Sequence, residues 1–142
     1  MIVVDVNLLL YAVITGFPRH DDARRWWEET LNSDTEVGLT SPAIFGFLRI
    51  ATNPRILESP MPIGDAVHHV QAWLHRANVR YLVPGPHHMD IAFDLLTDMG
   101  TAGNLTTDAQ LAAYAIENQA EICSNDTDFA RFPQLRWVNP LA

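Results

Sequence analysis

Ile2-Val3-Val4-Asp5-Val6-Asn7-Leu8-Leu9-Leu10 joins two different apolar patterns at an aspartate. Ile2-Val3-Val4 is a β-branched run without alternation, the pattern of a strand buried on both faces. Leu8 to Val13 continues as a helix-like apolar segment, so Asp5-Val6-Asn7 is a strand-to-helix junction. A strand buried on both faces needs a covering layer on each side. The first ten residues therefore already ask for a three-layer α/β arrangement.

The rest of the chain supplies the layers. His20-Asp21-Asp22 opens an amphipathic helical segment through Ala23, Trp26, Trp27 and Leu31. Glu36 to Thr40 reads as a strand. Ser41-Pro42 predicts a helix start, with Ser41 as N-cap and Pro42 as the first helical residue. That helix runs to about Thr52 and stops at Asn53-Pro54. Leu57 to Pro62 reads as a loop, and Pro62 to Arg76 as a helix with Val67, Val70, Trp73 and Leu74 on one stripe. Val79 to Val83 is a strand, and His87 to Met99 a helix closed by Gly100. Thr107 is the expected cap of a helix reaching about Asn118. Glu121 to Ser124 is a strand, Asp126 to Phe132 a turn with a short helix, and Arg136-Trp137-Val138 a last strand. Strands alternating with helices predict one parallel sheet covered on both faces, in a single domain spanning residues 1–142.

Composition narrows the chemistry. The chain has 142 residues, a net charge of −8 and nine basic residues, all arginine. Without lysine, P-loop ATPase, Schiff-base and receiver-type phosphoacceptor chemistry are excluded. Cys123 is the single cysteine, which rules out an internal disulfide and, in its apolar run, predicts a buried thiol. The longest apolar stretch, Leu8 to Ile14, is too short for a membrane span. With no secretory pattern at the start, a cytoplasmic protein is expected.

In parallel sheets ligands sit beyond the carboxyl ends of the strands, and three such places carry aspartate. Asp5 ends the first strand, Asp126 follows the strand Glu121 to Ser124, and Asp108 opens a helix in Asn104-Leu105-Thr106-Thr107-Asp108. Each fits a structural role as well: Asp5 and Asp126 as caps, Asp108 as a complement to a helix dipole. Converging on one sheet edge, they make an all-oxygen, acidic pocket suited to Mg²⁺, with Mn²⁺ as a substitute, and unsuited to zinc. The pairs His68-His69 and His87-His88 do not compete as ligands, since helical neighbours point apart. They are expected to be solvated or partly packed. Trp26, Trp27 and Trp73 stand at helical spacing and are expected in the core or an interface. No serine or cysteine lies in a nucleophile motif.

Several blocks together resemble a known family. Ile2-Val3-Val4-Asp5 with Asn7-Leu8-Leu9 is similar to the opening of PIN-domain proteins. Phe47-Leu48-Arg49-Ile50-Ala51-Thr52-Asn53-Pro54-Arg55, Gly103 to Ala109, Asp126 to Pro133 and Leu135 to Leu141 resemble VapC toxins. The resemblance implies a central parallel sheet of about five strands flanked by helices. It also implies a Mg²⁺-dependent endoribonuclease, the toxin of a toxin–antitoxin pair, silenced by a cognate antitoxin. Carried across, Asp5, Asp108 and Asp126 match three acidic site positions, and Asp128 stands nearby. Arg49 is a candidate phosphate contact or, equally, a surface ion pair. The antitoxin is expected between the helices Leu8 to Val13 and Asp22 to Leu31 and the Ser41 helix, and family members often form homodimers. The family's glutamate before Phe-Leu-Arg is Gly46 here, where a helix interior has no local need for glycine. The alternative reading is a non-catalytic PIN scaffold that binds antitoxin or RNA.

Overall fold

A computed structural model describes residues 1–142. In chain order the elements are β1 (Ile2–Val4), α1 (Val6–Val13), α2 (His20–Leu31), β2 (Val37–Thr40), α3 (Ser41–Ala51) and α4 (Ile63–Leu74). They continue with β3 (Val79–Leu82), α5 (His88–Met99), a 3₁₀ turn (Gly103–Leu105) and α6 (Thr106–Glu117). The chain closes with β4 (Glu121–Cys123), a 3₁₀ turn (Thr127–Arg131) and β5 (Trp137–Val138).

The five strands form one parallel sheet in the order β3-β2-β1-β4-β5. Val3 and Val4 point to opposite faces of β1, and both are fully buried. Both faces of the sheet are therefore covered, as the apolar run of β1 requires. Trp73 packs edge-on against Trp27 and Phe47, with ring centroids 5.7 and 5.0 Å apart, so two of the three tryptophans at helical spacing belong to the core. No helix is long and apolar enough to cross a membrane.

The strand order decides where a ligand can sit. From β1 the chain winds one way through β2 and β3, then returns to the other side of β1 for β4 and β5. The reversal leaves a crevice between β1 and β4 at their carboxyl ends, the usual ligand position in such sheets.

Several helix starts differ from the sequence reading. Thr40, not Ser41, caps α3: its Oγ1 accepts from Ala43 N at 3.3 Å. β2 runs straight into α3, so the last strand residue, already extended, is the one able to cap. α1 begins at Val6, earlier than Leu8, because Asp5 serves as its N-cap. Thr107 does not cap α6; a 3₁₀ turn feeds directly into Thr106, whose hydroxyl donates to Gly103 O at 2.8 Å. Gly100 closes α5 with φ +74°, the left-handed cap its position predicts. His88 is buried, not solvated, because it lies on the α5 face that meets α6 and packs its ring at a tilt against Tyr114, centroids 4.5 Å apart.

Candidate active site

Asp5, Asp108 and Asp126 line one pocket of about 470 Å³ at the β1–β4 crevice. Asp5 is placed by the end of β1, Asp126 by the loop after β4, and Asp108 by the first turn of α6. The structure thus brings together the three aspartates singled out in the sequence. It also draws in Asp128, the candidate standing nearby in the sequence: carboxylate oxygens of Asp108, Asp126 and Asp128 lie within 4.8 Å of one another. Asp128 joins because Asp126 caps the 3₁₀ turn, accepting from Asp128 N at 2.9 Å, which folds residue 128 back beside it.

The acids differ in state. Asp5 is buried, and both its oxygens already accept hydrogen bonds, from Val6 N and from Ser124 Oγ, each at 2.7 Å. Burial pushes its carboxyl above the usual range, against those two bonds, and Asp126 adds to the rise. The Asp108 carboxyl is pushed up to about 7, first by burial and then by the charges of Asp126, Asp5 and Asp128. Like charges held together raise one another's pKa until a cation relieves them.

Sequence reasoning missed the group that organises this pocket. Ser124 is fully buried. Its hydroxyl donates to Asp5 and accepts from Asp126 N at 2.9 Å and from Asn7 Nδ2 at 3.3 Å. One side chain therefore ties the end of β1, the start of α1 and the loop after β4 into a unit. Its adjacency to Asp126 was visible in the sequence; its position beside Asp5 follows only from the β1–β4 pairing.

Arg49 and Gly46 of α3 also line the pocket. Arg49 is exposed and takes no part in the fold's ion pairs, which join Arg19–Asp22, Arg24–Glu28 and Arg80–Glu36. At Gly46 a Cβ would stand 2.8 Å from Val6 Cγ2. No turn or cap asks for glycine there; packing does, because α3 approaches α1 too closely for a side chain while Val6 keeps its position. Cys123 is buried, and burial pushes its thiol up to about 12, so it is no nucleophile.

The donor set suits a hard divalent cation: carboxylate oxygens, with neither histidine nor cysteine lining the pocket.

Residues 2–135 match the PIN domain family. Ribonuclease VapC33 of Mycobacterium tuberculosis (strain CDC 1551 / Oshkosh) is 60% identical over 141 residues, which is 99% of each chain. Among solved structures, VapBC2 from Rickettsia felis bound to a DNA fragment from their promoter aligns with TM-score 0.70 and 18% identity, over 98% of each chain. VapC20 of Mycobacterium tuberculosis, a Sarcin-Ricin loop cleaving toxin, aligns with TM-score 0.70 and 18% identity, over 96% of this chain and 99% of its own. At that identity the two structures speak for the fold.

Proposed function

This chain belongs to the PIN-domain family, among the VapC ribonucleases, and on that premise we propose that it is a Mg²⁺-dependent endoribonuclease and the toxin of a toxin–antitoxin pair. The observation that supports the reading best is the acidic pocket: four carboxylates at the switch point of the sheet, one raised to about 7 by burial and then by its neighbours' charges. Asp5, Asp108 and Asp126, with Asp128 close beside, would hold the ion; Mn²⁺ would substitute. A divalent cation bound there supplies Lewis acidity toward a phosphate oxygen. Ser124 keeps the Asp5 carboxylate oriented, so it cannot swing out to water. Asp108, whose carboxyl is pushed up to about 7, would bind a cation in its deprotonated form. Arg49, unpaired and exposed, grips the phosphate and guides the strand.

The non-catalytic alternative is disfavoured, because the acidic cluster is assembled despite Gly46 and a relative 60% identical is a named ribonuclease. RNA, an antitoxin and a second copy of the chain are the partners this reading implies, and the cytoplasm is its place. An assembly such as VapBC2 among the structural relatives supports the antitoxin. The early-helix face does carry an open cleft, of about 370 Å³, but α4 and not α3 forms its far wall.

The test is cleavage of a mixed RNA pool by the purified chain. Cleavage with Mg²⁺ or Mn²⁺, abolished by excess EDTA and by Asp108→Asn, is expected. Equal cleavage with EDTA would defeat the metal reading. A fold whose melting temperature is unmoved by millimolar Mn²⁺ would defeat it too, since an ion bound only by the native state must stabilise it.

A further inference from the structure

Asp126 reaches the acidic pocket only if the loop after β4 holds its course. Like charges on Asp5, Asp108 and Asp128 stand around it, and with no cation between them such charges repel. The β4–β5 ladder cannot do the holding, because it stops short. It pairs Ile122 with Trp137 and Cys123 with Val138, and its last rung runs from Ser124 N to Val138 O at 3.1 Å. Asn125 and Asp126 lie beyond it.

Side chains take over where the ladder ends. Trp137 Nε1 donates to Ser124 O at 3.0 Å. Asn139 Nδ2 donates to Asn125 Oδ1 at 3.1 Å, while Asn139 Oδ1 accepts from Leu141 N at 3.1 Å. The partners fix which way that amide points: Leu141 N can only donate, so Oδ1 faces it and Nδ2 is left for Asn125. From the other side, Asn7 Oδ1 accepts from Asn125 N at 3.4 Å, and Asn7 Nδ2 reaches the Ser124 hydroxyl. Asn125 is thus held at its backbone by α1 and at its side chain by the segment after β5.

That segment is itself anchored. Leu141 is buried against the core, and the Arg19 guanidinium, just before α2, donates to its carbonyl. Asn139 therefore links a fixed residue to the one that precedes Asp126.

We propose that Asn139 and Trp137 are positioning residues of the acidic pocket: they brace the loop that carries Asp126, and so set how tightly the pocket takes a divalent cation. This rests on the metal reading of the pocket, and neither side chain lines the pocket itself. The competing account, an asparagine that only stabilises the fold, has a match in the same molecule. Asn78 also bridges two points of the chain, donating to Thr30 O at 3.0 Å and to Thr35 O at 2.9 Å, but it does so at the amino edge, away from the aspartates.

The measurement is calorimetric titration of the full chain with Mn²⁺, beside urea unfolding in EDTA. Asn139→Ala should weaken Mn²⁺ binding about tenfold, the lower end of what groups supporting a metal site are worth. Trp137→Phe keeps an aromatic ring and loses only the bond to Ser124, so it should stay folded and weaken binding in the same direction. Asn78→Ala should lose comparable stability and bind Mn²⁺ as the parent does. In the metal-free chain, amide exchange at Asp126 and Asp128 should quicken in Asn139→Ala and stay unchanged in Asn78→Ala. Mn²⁺ affinity unchanged in both Asn139→Ala and Trp137→Phe, with stability lost, overturns the proposal and leaves a purely structural brace. Equal weakening in Asn78→Ala overturns it too, since general destabilisation would then explain the loss. A parent that takes up no Mn²⁺, with faster exchange confined to the loop in Asn139→Ala, defeats the metal reading and keeps Asn139 as the residue that positions Asp126.

Discussion

The two edges of the sheet hold opposite arrangements of charge. At the amino edge a cleft of about 740 Å³ runs past β2 and β3, and it looks the better nucleic-acid site because two arginines line it. Both are already engaged. Arg80 meets Glu36 at 2.6 Å, and Arg76 donates to the Leu31 carbonyl at 2.9 Å and to Asn32. At the carboxyl edge a smaller pocket gathers three aspartates, with Arg49 as its one cation and no ion pair. The fold spends its arginines on its own carbonyls and carboxylates at one end and leaves like charges facing one another at the other. Unreconciled charge, more than the size of a concavity, points to the working end of this molecule.

The largest test of that contrast is removal of one charge from the cluster. Asp108→Asn should lower metal-dependent cleavage by at least about 100-fold, the upper end of what supporting groups of metal sites are worth. Initial rates on a fixed RNA with saturating Mn²⁺ measure it. Retention of more than a tenth of the rate would mean the cluster is ornamental.

Gly46 sharpens the same comparison, since it lines the acidic pocket without contributing to it. Gly46→Glu alone should cost about 1–3 kcal/mol, because the new side chain meets Val6. Adding Val6→Ala should recover stability and let the extra carboxylate tighten Mn²⁺ binding by roughly 10-fold. Urea unfolding and calorimetric titration of both variants read this. A single variant as stable as the parent would show that α1 yields easily, and the glycine would lose its packing explanation.

The raised acids set a pH dependence. Asp108 sits at about 7 in the fold, against about 3.9 in an unfolded chain. Between those values the native state holds the extra proton, so the metal-free protein loses stability as pH rises from about 4 to about 7. Asp5, also raised, adds with the same sign. Midpoints of urea unfolding in EDTA should fall across that window, and Asp108→Asn should flatten the slope. Metal binding should strengthen over the same range, since protons and cation compete for one group. A midpoint that climbs with pH would contradict the electrostatics drawn for this pocket.

The smallest effect belongs to the satisfied edge. Arg80→Ala removes an exposed ion pair with Glu36 and should cost no more than about 1 kcal/mol, with cleavage unchanged. A large loss of cleavage would move the RNA path to the amino edge.

Much of this was legible in the sequence, for reasons that are local. The unbroken β-branched run at Ile2 to Val4, the glycine after Met99 and the aspartates following β1 and β4 act within a few residues of themselves, and the fold used all of them. Boundaries failed where two elements meet without a loop. At Thr40 and at Leu105–Thr106 the preceding element supplied the helix start, and no residue-by-residue cap rule sees that.

What the tertiary structure alone decided is which ends come together. The order β3-β2-β1-β4-β5 sets Ser124 against Asp5, 119 residues away in the chain, and makes a plain serine the tie of the acidic pocket. The approach of α3 to α1 turns Gly46 from an unexplained gap into a packing requirement. The meeting of α5 and α6 buries His88 and leaves its nitrogen without a partner. The sequence by itself determined the elements, the acidic residues and the absence of competing chemistries, because periodicity and composition are written along the chain. Proximity across the sheet is not, since strand order is a property of the whole packed core.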